Sequence, residues 1–289
     1  MDKRQREIAR RRARARRKRE IMRRRRNIFK GIVALGIGVI ITTAFFNRDN
    51  NEKETNTKSK VGSKVENEVE KIEDFVVTID AGHGDWDGGT VGPKGILEKD
   101  INLAVSLEIG KILDEVEGIS VIYTRENDDL TGWSDDVMQN LNKRVAISNE
   151  YDSDVFISIH CNSGTDTSYS GVETWYNPEV VEAAEIAPII QENLASIGYT
   201  NDRGAKESIG NHSLAVLRNN PAAAVLLELG FLTNSSDETY LTSDFGQAKI
   251  AEAIAQAVVE YKIESETIED EVIEGDTSEG TTSEEEVTE

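Results

Sequence analysis

The sequence predicts an α/β fold, a single domain with a largely parallel mixed sheet flanked by helices. Between residues 75 and 262, short apolar segments rich in β-branched residues alternate with longer segments of helical periodicity. This alternation is typical of strands joined by crossover helices. Histidines and a glutamate stand at the ends of three strand-like segments, where such sheets place their ligands. We therefore predict a folded domain at 75–262 with its functional site at the carboxyl ends of the strands.

The first predicted strand and the loop after it organise this domain. The run FVVTI, 75–79, is apolar and leads into a loop that holds six glycines between residues 82 and 95. Glycine at this density indicates a backbone that turns sharply and leaves room for a ligand. The helix that follows, DINLAVSLEIGKILDEV, carries an apolar stripe that includes Leu103, Leu107 and Ile109 to Leu113.

The same alternation continues to the end of the domain. A helix predicted at 179–197 contains Pro188, which favours a kink or a break there. The segment TNDRGAKESIGNHS after it is polar and is interpreted as a connector. The predicted strands are 75–80, 119–124, 154–160, 171–176, 213–218 and 223–230. The predicted helices are 100–116, 137–150, 179–197 and 245–261.

The N-terminal residues predict a membrane anchor. Residues 1–30 hold 16 Lys and Arg against 3 Asp and Glu, and residues 31–46 hold no charge. With Ile28 and Phe29, the apolar run approaches the ~20 residues that span a bilayer, and the basic block places the N-terminus in the cytoplasm. A cleaved signal peptide ending near Thr42–Ala44 is the alternative, and would make the protein secreted. The apolar run explains the basic block better than nucleic-acid binding does, so we expect no nucleic-acid partner.

Two further segments are predicted to be disordered. Residues 47–74 are polar, charged and free of aromatic residues, which is typical of a flexible stalk. Residues 263–289 hold 12 acidic residues and no basic one, which predicts an acidic tail. The chain has one cysteine, Cys161, so the exported domain has no internal disulfide. Its neighbour His160 takes the opposite face of a strand, so Cys161 is expected to pack as a small apolar residue.

The candidate chemistry is that of a metal centre. The chain lacks a phosphate-binding GK[ST] loop, a GxSxG nucleophile elbow, a CxxC pair and an HExxH helix. His83, His160 and Glu228 end or follow predicted strands, and Glu98 ends the glycine loop. Imidazole and carboxylate suit zinc, and three protein ligands leave a position for water. From the spacing alone, histidines that merely cap core strands remain an alternative.

Motifs distributed along the domain narrow this choice. The stretches DAGHGDWDGGT, GILEKDINL, SIHCNS, AVLR and LELGFLTN occur in this order. They resemble the zinc-dependent N-acetylmuramoyl-L-alanine amidases, a family of cell-wall amidases and phage endolysins, and the resemblance covers about 75–262. It departs at Asp85, where glycine is common, and at Cys161, where alanine is common. The resemblance implies hydrolysis of the amide between the lactyl group of N-acetylmuramic acid and L-alanine of the peptidoglycan stem peptide.

The resemblance also implies roles for individual residues. His83, Glu98 and His160 match the zinc ligands, and Glu228 matches the catalytic acid/base. Arg218 in the AVLR motif is implied as a substrate contact, with helix capping or an ion pair as equal alternatives. We add Asn162, two residues after His160, as a candidate substrate contact or turn residue.

Three other polar residues keep open roles. Asp80 is expected either to orient a ligand or to cap its strand, Glu173 is a reserve carboxylate, and His212 is expected to lie outside the site. The alternative function is a metal-free cell-wall-binding module on the same fold. The helix at 179–197 accounts for the apolar residues before the connector, so we predict no inhibitory helix over the site and no obligate activator.

Overall fold

The computed structural model describes residues 75–130 and 132–278, with side chains as far as 266. The compact unit that holds the sheet ends at Val258, and the described residues after it belong to a second unit. The strands are β1 Phe75–Ala81, β2 Ile119–Tyr123, β3 Val155–Asn162, β4 Val172–Tyr176, β5 Asp202–Glu207 and β6 Ala223–Phe231. The helices are α1 Glu98–Leu113, α2 Val137–Glu150, α3 Val181–Ser196, α4 Ala215–Arg218, α5 Ser235–Leu241 and α6 Asp244–Ser278, with a 3₁₀ turn at Gly210–His212.

The six strands form one mixed sheet in the order β2-β1-β3-β6-β4-β5. Strands β2, β1, β3 and β6 run parallel, β4 pairs antiparallel to β6, and β5 runs parallel to β4. This confirms the predicted α/β class and the largely parallel mixed sheet. The carboxyl ends of β1, β3 and β6 therefore meet at one edge, beside the amino ends of β4 and β5.

The central strands are apolar on both faces because helices cover both sides of the sheet. Ile79 on β1, Phe156 and Ile157 on β3, and Leu227 on β6 are all fully buried. Helix α1 packs against the sheet with a stripe at every fourth residue. The stripe consists of Ile101, Val105, Ile109 and Leu113. Its first two members differ from the predicted Leu103 and Leu107, which are only half-buried.

The structure corrects two predicted elements between β4 and β6. Residues 213–218 are not a strand, because Ala215–Arg218 form the short helix α4. Val216 and Leu217 of this helix are buried in a cluster with Phe156. Conversely, the connector contains the edge strand β5, which pairs with β4. Helix α3 runs unbroken through Pro188.

The last helix is longer than predicted. It runs from Asp244 to Ser278 and so enters the segment predicted as a disordered tail. Across the residues that the structure describes, no helix is both long and apolar enough to cross a bilayer. The predicted basic segment, anchor and stalk, 1–74, lie outside the described residues.

Candidate functional site

The end of β1 is held in place by a buried network of arginine side chains. Arg144 on α2 forms an ion pair with Asp80 at 2.7 Å, and both side chains are almost fully buried. Arg144 also donates to the carbonyl oxygens of Ala81 and His83, each at 2.8 Å. Arg125 donates to the carbonyl oxygens of Ala81 and Gly82 at 2.9 and 3.0 Å. Hydrogen bonds from the two arginine side chains therefore fix the backbone where the chain leaves β1.

Asp80 is an acceptor at the centre of this network. Burial raises the pKa of its carboxyl group, but the Arg144 charge and hydrogen bonds from Ser158 and Thr124 outweigh burial and lower the pKa. The carboxylate thus binds Arg144, and Arg144 binds the backbone of His83. Of the two roles left open for Asp80, the structure supports orientation of the site, through Arg144.

Three side chains converge at the carboxyl ends of β1 and β3. The Glu98 Oε1 atom lies 3.1 Å from His83 Nε2 and 3.0 Å from His160 Nδ1. One ligand atom from each of the three residues lies within 4.8 Å of the others. Glu98 is buried, while His83 and His160 remain about one-fifth exposed. The predicted ligand set is therefore assembled in space, with an opening to solvent.

Neighbouring groups determine which atoms of these residues face the centre. Asp87 Oδ2 lies 2.8 Å from His83 Nδ1, which leaves His83 Nε2 toward Glu98. A Cβ atom on Gly82 would lie 2.3 Å from His160 Nε2, so this glycine makes room for the ring. Histidine ligands of metals generally have their other ring nitrogen held in this way.

The backbone of the glycine loop is shaped for this arrangement. His83 itself has a positive φ of 62°, a conformation that residues other than glycine rarely adopt. Gly89 has a φ of 67°, and a Cβ atom there would lie 2.7 Å from Glu98 Oε2 and 2.8 Å from His83 Cδ2. Only glycine fits at position 89 without displacing two of the three candidate ligands.

The donor set fits a divalent metal ion. Two imidazole nitrogens and one carboxylate oxygen form the ligand set of catalytic zinc sites, which keep a fourth position open. Burial lowers the pKa of His83, but hydrogen bonds to Glu98 and Asp87 outweigh burial and raise the pKa to about 9. Burial raises the pKa of Glu98, but hydrogen bonds from His160 and His83 lower it well below its usual range. His83 is thus held beside negatively charged groups, an environment that also favours a bound cation.

Glu228 lies beside this centre on β6. Its Cα is the register partner of His160 on β3, so the two residues are neighbours across the sheet. Its Oε2 atom is buried and receives no hydrogen bond from the residues that the structure describes. Burial and, after it, the negative charges of Glu98 and Glu173 raise the pKa of Glu228 to about 8, although His83 and Lys206 act to lower it.

The remaining candidates lie in three different places. Asn162, partly exposed at the end of β3, uses its Oδ1 to accept from the backbone N–H of Ser163. Arg218 is exposed on α4, which precedes the amino end of β6 and thus lies at the sheet edge away from Glu228. Its role as a substrate contact stays a prediction that its position does not favour. His212 is exposed with its ring 5.9 Å from that of Trp175, and Cys161 is buried as expected.

The sequence analysis did not identify several residues that the structure places around the site. Asp87 lies four residues after His83, a spacing that points to the site only once the loop conformation is known. Arg203 and Lys206 lie in the polar connector, yet both pair with Glu173. Their pairing depends on a strand that local sequence does not reveal.

Comparison with known proteins places the domain among cell-wall enzymes. The profile of a family described as N-acetylmuramoyl-L-alanine amidase matches residues 77–260. The chain is 42% identical over 195 residues to the uncharacterized protein YqiI of Bacillus subtilis, covering 67% of this chain and 87% of that protein. It is 34% identical to the germination-specific N-acetylmuramoyl-L-alanine amidase of the same organism, covering 65% and 80%.

A solved structure shows the same fold. The catalytic domain of CwlV, an N-acetylmuramoyl-L-alanine amidase from Bacillus (Paenibacillus) polymyxa, superposes with a TM-score of 0.58 at 34% identity. The match covers 64% of this chain and 97% of that domain. The similarity therefore extends over nearly all of the catalytic domain of that enzyme.

Proposed function

The chain belongs to the N-acetylmuramoyl-L-alanine amidase family, and we propose here which of its residues hold the metal ion and move the proton. It is a peptidoglycan hydrolase that cleaves the amide bond between N-acetylmuramic acid and L-alanine of the stem peptide. Because its substrate is the cell wall, it acts outside the cytoplasm.

We assign the metal site to His83 Nε2, Glu98 Oε1 and His160 Nδ1, and the ion to zinc. The assignment is supported by the convergence of one ligand atom from each of the three residues within 4.8 Å and by the two-nitrogen, one-oxygen donor set. A bound zinc ion supplies a Lewis acid that polarises a carbonyl group and lowers the pKa of water toward about 7. The chain positions the ligands through Asp87 and the arginine network around β1.

Glu228 is assigned as the acid/base. Its carboxyl group takes a proton from the attacking water and passes it to the alanine nitrogen as the C–N bond breaks. The products are a lactyl carboxyl group and a free alanine amine. A pKa raised to about 8 by burial keeps the group near the range in which it accepts and donates protons at neutral pH. The buried Oε2 atom without a partner among the described residues leaves one oxygen available for this exchange.

The observation that carries this assignment is the convergence of His83, Glu98 and His160 one strand away from Glu228. The test incubates the full-length protein with purified peptidoglycan and measures new N-terminal alanine, new reducing sugar ends and bound zinc. We expect alanine amines to appear with about one zinc per chain. Reducing ends without free alanine would show a glycosidase. Binding to peptidoglycan with neither zinc nor cleavage would show the metal-free module instead.

We also propose that residues 31–46 tether the enzyme to the cell membrane in a single pass, with the domain outside. The proposal is supported by the uncharged run and by the 16 Lys and Arg before it. A stalk of residues 47–74 would reach only about 30 Å and confine cleavage to wall near the membrane. The protein should stay with membranes through high-salt and alkaline washing. Release of a species that begins near Phe45 would show a cleaved signal peptide.

Asn162 is proposed to position the substrate. It ends β3 two residues after His160 and is partly exposed at the edge where the ligands converge. An amide side chain there can donate to and accept from a peptide bond. Replacement by alanine should raise KM on peptidoglycan while leaving bound zinc unchanged.

A further inference from the structure

Two cations on the edge strand β5 meet at one buried carboxylate. Arg203 Nε and Lys206 Nζ both pair with Oε1 of Glu173, the lysine at 2.7 Å. The other oxygen of Glu173 accepts from Trp175 Nε1 at 3.0 Å. Glu173 is buried, whereas Arg203 and Lys206 remain about one-third exposed. The two positive charges thus exceed the single negative charge of Glu173, and the partly exposed cations face solvent.

A bulge in β5 brings these two cations together. Residues three apart in a regular strand point to opposite faces of a sheet. Here the register with β4 shifts, because Val172 pairs with Asp202 whereas Thr174 pairs with Ala205. Gly204, within the extra residues, has a φ of 78°. β-bulges commonly redirect side chains next to active sites, and this one turns Arg203 to the same partner as Lys206.

The pair lies in line with the catalytic residues. Glu173 on β4 is directly opposite Glu228 on β6, and Glu228 is the register partner of His160 on β3. Directly opposite residues share a face of the sheet. A row of functional side chains therefore crosses four strands, from His160 to the cations. Strands are spaced about 4.8 Å apart, so β5 lies about 10 Å from the strand of Glu228.

The charge balance indicates a ligand. Two cations against one buried carboxylate leave a net charge of +1. One cation would suffice to neutralise Glu173. Aromatic rings hold both groups, since Arg203 Cζ lies 5.0 Å from the centre of the Phe231 ring and Lys206 Nζ lies 5.3 Å from that of Trp175. The surplus charge is therefore fixed in position and accessible, which is what recognition of an anion requires.

We propose that Arg203 and Lys206 bind a free carboxylate of the stem peptide and so select substrates that carry one near the scissile amide. This specificity role rests on the proposed amidase function. An extended peptide advances about 3.3 Å per residue, and both cations have long side chains. A carboxylate on the second stem residue and one on a diamino dicarboxylic acid at the third position are thus both within range.

The experiment compares the full-length wild type with four variants, Arg203→Gln, Arg203→Lys, Lys206→Gln and Lys111→Gln. Lys111 is the matched control, an exposed lysine paired with Glu108 on α1. The substrates are four muramyl tripeptides that carry no attached phosphate polymer. They combine a carboxylate or a carboxamide at the second stem residue with a carboxylate or a carboxamide at the third. Release of free alanine amine gives kcat and KM for each combination, and added inorganic phosphate tests competition by another anion.

We expect the wild type to show a KM about 10-fold lower for one carboxylate substrate than for its carboxamide partner. The position at which amidation raises KM identifies the carboxylate. Arg203→Gln and Lys206→Gln should bring that ratio toward 1, while Lys111→Gln should keep the wild-type ratio. Arg203→Lys, which retains the charge, should preserve most of the preference.

Several outcomes would overturn the proposal. One is a wild type that cleaves all four substrates with the same KM. Another is a pair of glutamine variants that lower kcat equally on every substrate and unfold at lower temperature, which would show a purely structural role around Glu173. Competition by phosphate without any carboxylate preference would indicate a different anion. Failure of the wild type to cleave any of the substrates would count against the amidase function itself.

Discussion

At the level of single residues, the site contains two carboxyl groups whose surroundings drive their pKa values in opposite directions. Both are buried from most solvent, which favours the neutral form. Hydrogen bonds from His83 and His160 overcome this for Glu98 and lower its pKa. Glu228 Oε2 receives no hydrogen bond from the described residues, so burial and the nearby charges of Glu98 and Glu173 raise the pKa of Glu228 to about 8. Glu98 is therefore suited to bind a cation, and Glu228 is suited to accept and donate a proton.

Exchanging each glutamate for glutamine should separate these roles. Glu228→Gln should retain zinc and lose about 10²–10⁴-fold in kcat, because the amide cannot accept the proton. Glu98→Gln should lose zinc, because the carboxylate that both histidines contact is gone. Metal content by elemental analysis and release of alanine amine measure the two effects. Zinc loss in Glu228→Gln with retention in Glu98→Gln would mean that the assigned roles are interchanged.

Asp87 provides a test of the histidine orientation. Its Oδ2 lies 2.8 Å from His83 Nδ1 and holds the ring so that Nε2 faces Glu98. Asp87→Asn should weaken zinc binding about 10–100-fold, as loss of such partners typically does. Competition with a chelator measures the affinity. The control is Asp85→Asn, since Asp85 offers its backbone N–H, not its side chain, to Asp128 in this turn. Equal zinc affinity in the wild type and Asp87→Asn would refute this orienting role.

At the level of elements, the end of β1 depends on helix α2. Arg144 reaches from α2 to the Asp80 carboxylate and to the backbone carbonyl groups on either side of Gly82. A buried ion pair of this kind adds little net stability over apolar residues, but removal of one partner leaves a buried charge. The pair therefore ties the geometry of the metal site to the packing of the helix.

Arg144→Met should lower the free energy of unfolding by about 3–5 kcal/mol, because Asp80 would remain buried without its cation. It should also reduce zinc affinity, because His83 loses the hydrogen bond to its carbonyl oxygen. Lys143→Met, at the neighbouring exposed position on α2, should change stability by no more than about 1 kcal/mol. Denaturant unfolding of both variants measures the difference. Equal stabilities would show that Asp80 finds another partner or becomes protonated at little cost.

At the level of the whole molecule, the connection from β4 to β6 leaves the edge with the ligands uncovered. Helix α3 packs against β4, β5 and β6, and the rest of the connection forms β5, the 3₁₀ turn and α4. Among the described residues, no additional helix of this connection remains to cover His83 and Glu98. The two histidine ligands are partly exposed, which agrees with a site open to substrate.

The full-length protein should therefore cleave peptidoglycan without an activating partner. The measurement is the initial rate of alanine amine release by purified protein, with and without an extract of the producing cells that lacks the enzyme. A rate that changes less than about 2-fold on addition agrees with an open site. A protein that holds zinc yet stays inert until extract is added would reveal an inhibitory element or an obligate activator.

The order of motifs was sufficient to predict the family and the fold class. It also predicted the convergence of His83, Glu98 and His160 that the structure shows, while the catalytic role of Glu228 stays a prediction. His83, His160 and Glu228 end or follow buried β-branched runs, and parallel strands bring their carboxyl ends to one edge whatever the details of the helices. Helix α2 was predicted with the bounds that the structure shows, because its apolar spacing is a local signal. These features depend on residues close together in the chain.

Only the tertiary structure determined the features that depend on distant partners. β5 lacks apolar alternation and forms a strand because its backbone pairs with β4. The same pairing contains the bulge that brings Arg203 beside Lys206. The AVLR segment becomes helix α4 because its apolar residues are buried against Phe156, far away in the chain. The network of Asp80 and Arg144 joins residues 64 positions apart. Local sequence determines periodicity and turns, whereas the partner of an edge strand or a buried charge exists only once the chain has folded.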